Sequence, residues 1–187
     1  MNNNSSINLL NKIVIGSGVS KFTYEIDDDY VCVCPQSIHK EKSILTEYDM
    51  LIYLQSFKLP IVPNIQLVDI QRSRSGCLIG MLQKNIKMSK LYKPMSIGPI
   101  LLPRHDNIIQ TLLKMYDILS HHKIYITDFQ LLYNDSEIYL IDPSNVYHVD
   151  LKYHLGHDVK LRHEELSMKY LHQMKCLREV IDYNLGE

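Results

Sequence analysis

The sequence predicts an α+β chain of two lobes, rich in strands in front and in helices behind. Three observations carry this. Short apolar runs broken by Gly, Asp and Pro fill the front, and two later stretches repeat apolar residues at helical spacing. Between those stretches, two brief apolar runs are joined by a polar turn, the mark of a hairpin. Strands and helices segregated in this way suggest two lobes with a cleft between them.

The elements follow in order. Lys12 to Gly16 reads as a strand, then Ser17, Gly18, Val19, Ser20 and Lys21 make a glycine-bearing turn into a second strand, Phe22 to Ile26. Asp27 to Asp29 form an acidic turn, and Tyr30 to Cys34 is a third strand ended by Pro35. Ile44, Leu45, Tyr48, Leu51, Ile52 and Leu54 recur at helical spacing from about Lys40 to Phe57. Glu47 lies mid-helix, where an unpaired carboxylate would be a solvated surface charge. Leu59 to Pro63 breaks regular structure. Ile65 to Ile70 and Cys77 to Leu82 pair around a turn at Arg72 to Gly76. Lys84 to Pro103, with three prolines, is expected to be irregular. Asp106 is expected to cap a helix that runs to about His121, with Ile108, Ile109, Leu112, Leu113, Tyr116 and Leu119 as its core stripe. Leu131 to Tyr133 and Ile138 to Ile141 form the hairpin around Asn134 to Glu137. Asp158 to Asn184 closes the chain as a helix that buries Leu161, Met168, Leu171, Met174, Leu177 and Ile181.

Composition narrows the function. The chain has 187 residues, 45% of them hydrophobic, which suffices for one domain with a real core. Net charge is -1, so there is no basic footprint for nucleic acid, and none for an anionic membrane. No apolar run approaches the ~20 residues that a membrane helix needs. Residues 1–8 are polar, lack the apolar core of a secretory signal peptide, and are expected to be a flexible tail. Their Asn/Ser-rich character also suits a type III secretion signal. Residues 9–187 are expected to be a single domain, with a front lobe over about 9–83 and a back lobe over about 84–187. Cys32 and Cys34 share one strand face, Cys77 and Cys176 stand alone, and no Cys/His spacing resembles a zinc site. Buried free thiols are expected, in keeping with a reducing compartment.

The chemistry gathers at the hairpin. Asp128 stands just before it and Asp142 just after, so both carboxylates belong at its open end. Aspartates beside strands are common turn residues. Two acids at one rigid mouth also suit a magnesium–nucleotide site, where one orients a hydroxyl and the other holds the metal. The order of elements is that of a protein kinase: glycine flap, third strand, helix, strand pair, hinge, helix, catalytic loop and metal-binding aspartate. On that scheme Gly16, Ser17 and Gly18 cover ATP, Glu47 is the helix acid, Gln83 lies at the hinge, Asp128 is the catalytic base and Asp142 binds Mg2+. The third strand, Val31-Cys32-Val33-Cys34, has no lysine. Lys21 stands at the end of Gly16-x-Gly18-x-x-Lys21, from which it can reach the same phosphates, an arrangement that WNK-type kinases use, and Glu47 is expected to steady it. Tyr133 replaces the usual loop asparagine, and Asp142-Pro143-Ser144 replaces Asp-Phe-Gly. Gln130 is a candidate to supply the metal with an amide oxygen, or else to tie Asp128 in place.

These motifs, Gly16-x-Gly18-x-x-Lys21, Cys32-x-Cys34, Asp128-x-Gln130 and Asp142-Pro143, resemble those of the HopBF family of bacterial type III effectors, very small kinases. Glu47 and Pro60-Ile61-Val62 fall in register, and the resemblance covers about residues 12 to 147. It implies a minimal bilobal kinase-like fold with a reduced helical back lobe. It also implies Ser/Thr kinase activity with ATP and Mg2+, and delivery into the host-cell cytoplasm. The implied partner is the host chaperone heat shock protein 90, inactivated by phosphorylation. A monomer is expected. About 45 residues follow Asp142, with no Ala-Pro-Glu segment, so the enzyme would recognise a folded partner through other surfaces. The missing strand lysine and loop asparagine motivate a rival from another class: a pseudokinase that binds a host protein, as the OspG group binds ubiquitin-charged conjugating enzymes. A small-molecule kinase of the aminoglycoside-phosphotransferase sort is disfavoured by the short back lobe.

Overall fold

The computed structural model describes residues 6–73, 76–151, 153–156 and 161–186, and these form a mixed α+β fold. The expected tail over residues 1–5, the tip of the turn at residues 74 and 75, and the expected helix start at Asp158 lie outside the described residues. Two units are distinguished. One comprises the chain through Asp49 together with Val62–Asn85; the other comprises Met50–Ile61 together with the chain from Ile86 onward.

Unit one is built on a six-stranded sheet. Its strands are β1 (Ile7–Asn8), β2 (Ile13–Ser17), β3 (Lys21–Glu25), β4 (Tyr30–Pro35), β5 (Gln66–Ser73) and β6 (Gly76–Lys84), in the order β1-β5-β6-β4-β3-β2. All neighbours are antiparallel except β1 and β5. Strand alternation puts Phe22, Tyr24, Cys32 and Cys34 into one small core with Leu9, Ile70 and Leu82. The Cys32 and Cys34 sulfurs lie 3.5 Å apart, as residues two apart on one strand should. The acidic turn has a local cause: the Asp27 carboxylate accepts from the backbone N–H groups of Asp29 and Tyr30, both at 2.8 Å. Ile7 and Asn8, placed by the sequence in the tail, pair with the open edge of β5, and the buried Leu9 anchors them. A 3-10 turn, Ile38–Lys40, leads into helix α1 (Glu41–Ser56), within which the boundary between the units falls. Cys77 is exposed, contrary to the expectation of burial, because it lies at the β5–β6 turn.

Unit two holds β7 (Lys90–Tyr92), α2 (Pro94–Ile97), α3 (Asp106–His122), β8 (Ile124–Thr127), β9 (Gln130–Tyr133), β10 (Ile138–Ile141), β11 (Asn145–His148), β12 (Tyr153–Gly156) and α4 (His163–Leu185). The strands make two three-stranded sheets, β10-β9-β7 and β12-β11-β8. The expected hairpin is β9–β10, with Gln130 opposite Ile141. His105, not Asp106, caps α3: its Nδ1 accepts from the Asn107 N–H at 3.2 Å. Asp106 is the first helical residue, where a carboxylate favours the positive end of the helix dipole. The helix ends on Lys123 in the left-handed conformation.

The buried stripe of α4 is Leu166, Gln173, Met174, Cys176, Leu177, Val180 and Ile181. Met168 and Leu171, expected inside, are about two-thirds exposed. An apolar residue on a long helix can belong to either of two faces, and packing against α3 and β8 selects the other one. Among the described residues, no helix is long and apolar enough to cross a membrane.

Candidate active site

Unit one carries an ion pair. Lys21 opens β3, and its Nζ lies 2.6 Å from Glu47 Oε2 on α1. The two side chains are 17% and 9% exposed. Lys21 lies opposite Pro35, on the sheet face away from Phe22 and Cys34. Glu47 is therefore a buried, paired carboxylate and not a solvated helix charge. A pair this enclosed is held firmly, because either charge left alone would be costly.

The flap precedes it. Gly16 sits within β2 beside a bulge, and Ser17 is the last strand residue. Gly18 donates its N–H to the Lys21 carbonyl at 2.9 Å and accepts at 2.6 Å from Gln36 Nε2. The Gly18 amide thus closes the turn. Neither Gly16 nor Gly18 needs a positive φ, and a side chain on Gly18 would meet nothing within 4 Å. What the glycine keeps there is open surface. Gln83 is half-buried near the end of β6, opposite Val31, two residues before the unit boundary.

Unit two brings the two acids together through strand register. Thr127 of β8 pairs with Asn145 of β11, and Gln130 of β9 pairs with Ile141 of β10. Both segments, β8 to β9 and β10 to β11, switch sheets between these pairs, and Asp128 and Asp142 stand at the switch. Ser144 N–H reaches back to the Thr127 carbonyl at 3.2 Å and ties the crossing. Both acids have left-handed backbone, with φ of 56° at Asp128 and 49° at Asp142. That region costs most residues about 1–2 kcal/mol, and Asp and Asn tolerate it best. Two acids so held at one crossing indicate a site whose geometry is imposed by the surrounding sheets.

Asp128 is gripped at both oxygens. Gln130 Nε2 donates to Oδ2, and Lys93 Nζ lies 2.9 Å from Oδ1. Gln130 thus touches Asp128 through its amide nitrogen, the contact that the second of its two expected roles requires. The sequence reading missed Lys93, which falls in the stretch expected to be irregular. Its one signal was a lysine directly before a proline, at the end of what proves to be β7.

Hard carboxylate oxygens suit Mg2+, which is usually held by one or two carboxylates plus substrate phosphates. Asp142 and Asp128 fit that pattern. Among the described residues, no group of three or more His, Cys, Asp or Glu side chains is arranged to hold a metal on its own. Three residues after Asp142, the Oδ1 atom of Asn145 is buried without a hydrogen-bond partner among the described residues. Gly156 packs against this turn at φ of 129°. A Cβ there would lie 2.5 Å from Asn145 Oδ1 and 2.7 Å from the Ser144 carbonyl.

No protein-family model and no curated protein matches the chain. Among solved structures, the chain is similar to one described as a novel alpha kinase from Entamoeba histolytica. The identity is 15% and the TM-score 0.41, over 73% of this chain and 63% of that one.

Proposed function

We propose that this chain transfers the γ-phosphoryl group of ATP to a serine or threonine hydroxyl of a protein. The observation that carries this reading is the sheet crossing, which holds Asp128 and Asp142 at one point with left-handed backbone. Phosphoryl transfer asks mainly for positioning and charge neutralisation; the crossing suits the first, and Lys21 with Mg2+ held by Asp142 would supply the second.

In this reading Asp128 orients the acceptor hydroxyl and takes its proton. Gln130 holds Asp128 in the required rotamer. Lys21, steadied by Glu47, contacts the phosphates, and the Gly16–Ser17–Gly18 turn covers them. Gln83 is the residue proposed for the adenine side. Asp142 holds Mg2+, which when bound neutralises phosphate charge. The resemblance to type III effector kinases extends the proposal: delivery into a host cell, and heat shock protein 90 as the protein acceptor.

Incubating the purified chain with γ-labelled ATP, Mg2+ and heat shock protein 90 tests this. Label should pass to the chaperone. Asp128→Ala should stop transfer while leaving ATP binding largely intact, and Asp142→Ala should weaken metal-dependent binding. Equal labelling by both variants would make the assignment wrong. No labelling by the native chain, together with capture of a ubiquitin-charged conjugating enzyme, would favour the pseudokinase reading.

A further inference from the structure

The three strands of the β10-β9-β7 sheet reach one edge together. Lys90 pairs with Tyr133 and Tyr92 with Leu131, while Gln130 pairs with Ile141. At that edge β7 ends, β9 begins and β10 ends. Each strand carries a charge just past its end: Lys93 after β7, Asp128 before β9 and Asp142 after β10. Two of these are the acids already described. The third is a cation from a different part of the chain.

Lys93 is rooted rather than loose. Its carbonyl accepts from the backbone N–H groups of Ser96 at 3.1 Å and Ile97 at 3.0 Å. Pro94 follows it, buried, and the wholly buried Tyr92 precedes it, donating its hydroxyl to the Gly98 carbonyl at 2.6 Å. Only the side chain extends, about one-third exposed, to Asp128. A lysine offers three donors on a flexible stem, so its ammonium can change partners while the backbone stays still.

The charge balance gives this cation a task. Two carboxylates at a phosphoryl-transfer site repel the phosphate that must approach them. Gln130 on Oδ2 and Lys93 on Oδ1 each compete with an acceptor hydroxyl for Asp128. Moving Lys93 onto the incoming phosphate meets both needs at once. We propose that Lys93 is the catalytic cation that meets the transferring phosphoryl group, held in reserve by Asp128 until ATP arrives; this rests on the kinase reading above. In the step, the acceptor oxygen forms a bond to the γ-phosphorus and its proton passes to Asp128 Oδ1. The bond from the γ-phosphorus to the β–γ bridging oxygen breaks, and ADP leaves with that electron pair. Lys93 keeps its own proton and balances charge on a non-bridging oxygen.

The test compares the native chain with Lys93→Met and Lys93→Arg on the same protein acceptor. Lys93→Met should lower kcat about a hundredfold with KM for ATP within about threefold, and Lys93→Arg should regain at least about a tenth of native kcat. Binding supplies a readout apart from turnover. In EDTA, the native chain should bind ATP more tightly than ADP, and Lys93→Met should narrow that preference. If the native chain transfers phosphate and Lys93→Met keeps kcat within about threefold, the role of Lys93 falls and the kinase reading stands. An Arg variant as impaired as the Met variant, with the same drop in melting temperature, would also overturn it, in favour of a purely structural pair. A native chain that transfers nothing to any protein overturns both readings together.

Discussion

Gln173, fully buried in α4, accepts a hydrogen bond from the Ile126 backbone N–H at 2.8 Å. Its amide nitrogen donates to the Ile124 carbonyl at 3.0 Å. β8 is the outer strand of its sheet, so this one side chain serves the backbone groups that a further strand would otherwise pair. The strand it closes leads directly into Asp128. Gln173→Leu should leave two buried backbone groups unpaired and lower stability by about 2–5 kcal/mol. Urea denaturation measures this; an unchanged midpoint would mean that water replaces the amide without loss.

The Lys21–Glu47 pair separates stability from function. Lys21→Met leaves the Glu47 carboxylate enclosed without its cation and should cost about 1–3 kcal/mol. Lys21→Met combined with Glu47→Leu should recover most of that loss, because no charge is then stranded. Nucleotide binding should stay lost in both variants. Binding restored in the double variant would exclude Lys21 as a phosphate contact.

Backbone conformation at the crossing yields a prediction independent of charge. At Asp142, with φ of 49°, Asn should be tolerated, whereas a β-branched Val should be less stable than Asn by about 1–2 kcal/mol. Gly156→Ala should act on the same turn by pushing a methyl group into Asn145 and Ser144. Its expected signature is lower thermal stability together with weaker Mg2+-dependent nucleotide binding. Stability equal to the native chain would show that the turn can shift without consequence.

Acid should loosen the end of α3. Burial, and after it the imidazoles of His121 and His148, hold the His122 pKa below the usual 6.5. The Phe57 ring packs 4.7 Å from the His122 ring. A histidine whose folded pKa is depressed contributes stability that is complete above the unfolded value. That contribution is lost as pH falls below about 6.5 and protons bind the unfolded chain more readily. The melting temperature should therefore drop between pH 7 and pH 5, and the drop should shrink in His122→Phe. An identical pH dependence in the variant would assign the effect to other groups.

Much of this was legible beforehand, for identifiable reasons. The strands of unit one announce themselves by alternation and by their turns, and α1 and α3 by apolar spacing. The hairpin between Asp128 and Asp142 could be seen because four polar residues separate two apolar runs. The Lys21–Glu47 pairing was foreseeable once the order of elements implied it. The phase of α4 was not, because Met168 and Leu171 suit a buried stripe as well as Leu166 and Val180 do. β7, β8 and β11 were not legible because each has four residues or fewer and pairs with a strand well separated in sequence, and β12 was not because it pairs only with β11.

The order of residues alone determined which side chains could do chemistry: two aspartates around a short hairpin, a lysine at the end of a glycine turn and a glutamate inside a helix. Local rules suffice for that, since turns and periodicity act over a few residues. Tertiary structure decided the rest. It made the hairpin mouth a crossing between two sheets, forced both aspartates into left-handed backbone and brought Lys93 within 2.9 Å of Asp128 from 35 residues away. Register between strands far apart in sequence is set by pairing and packing, and no single stretch of the chain encodes it.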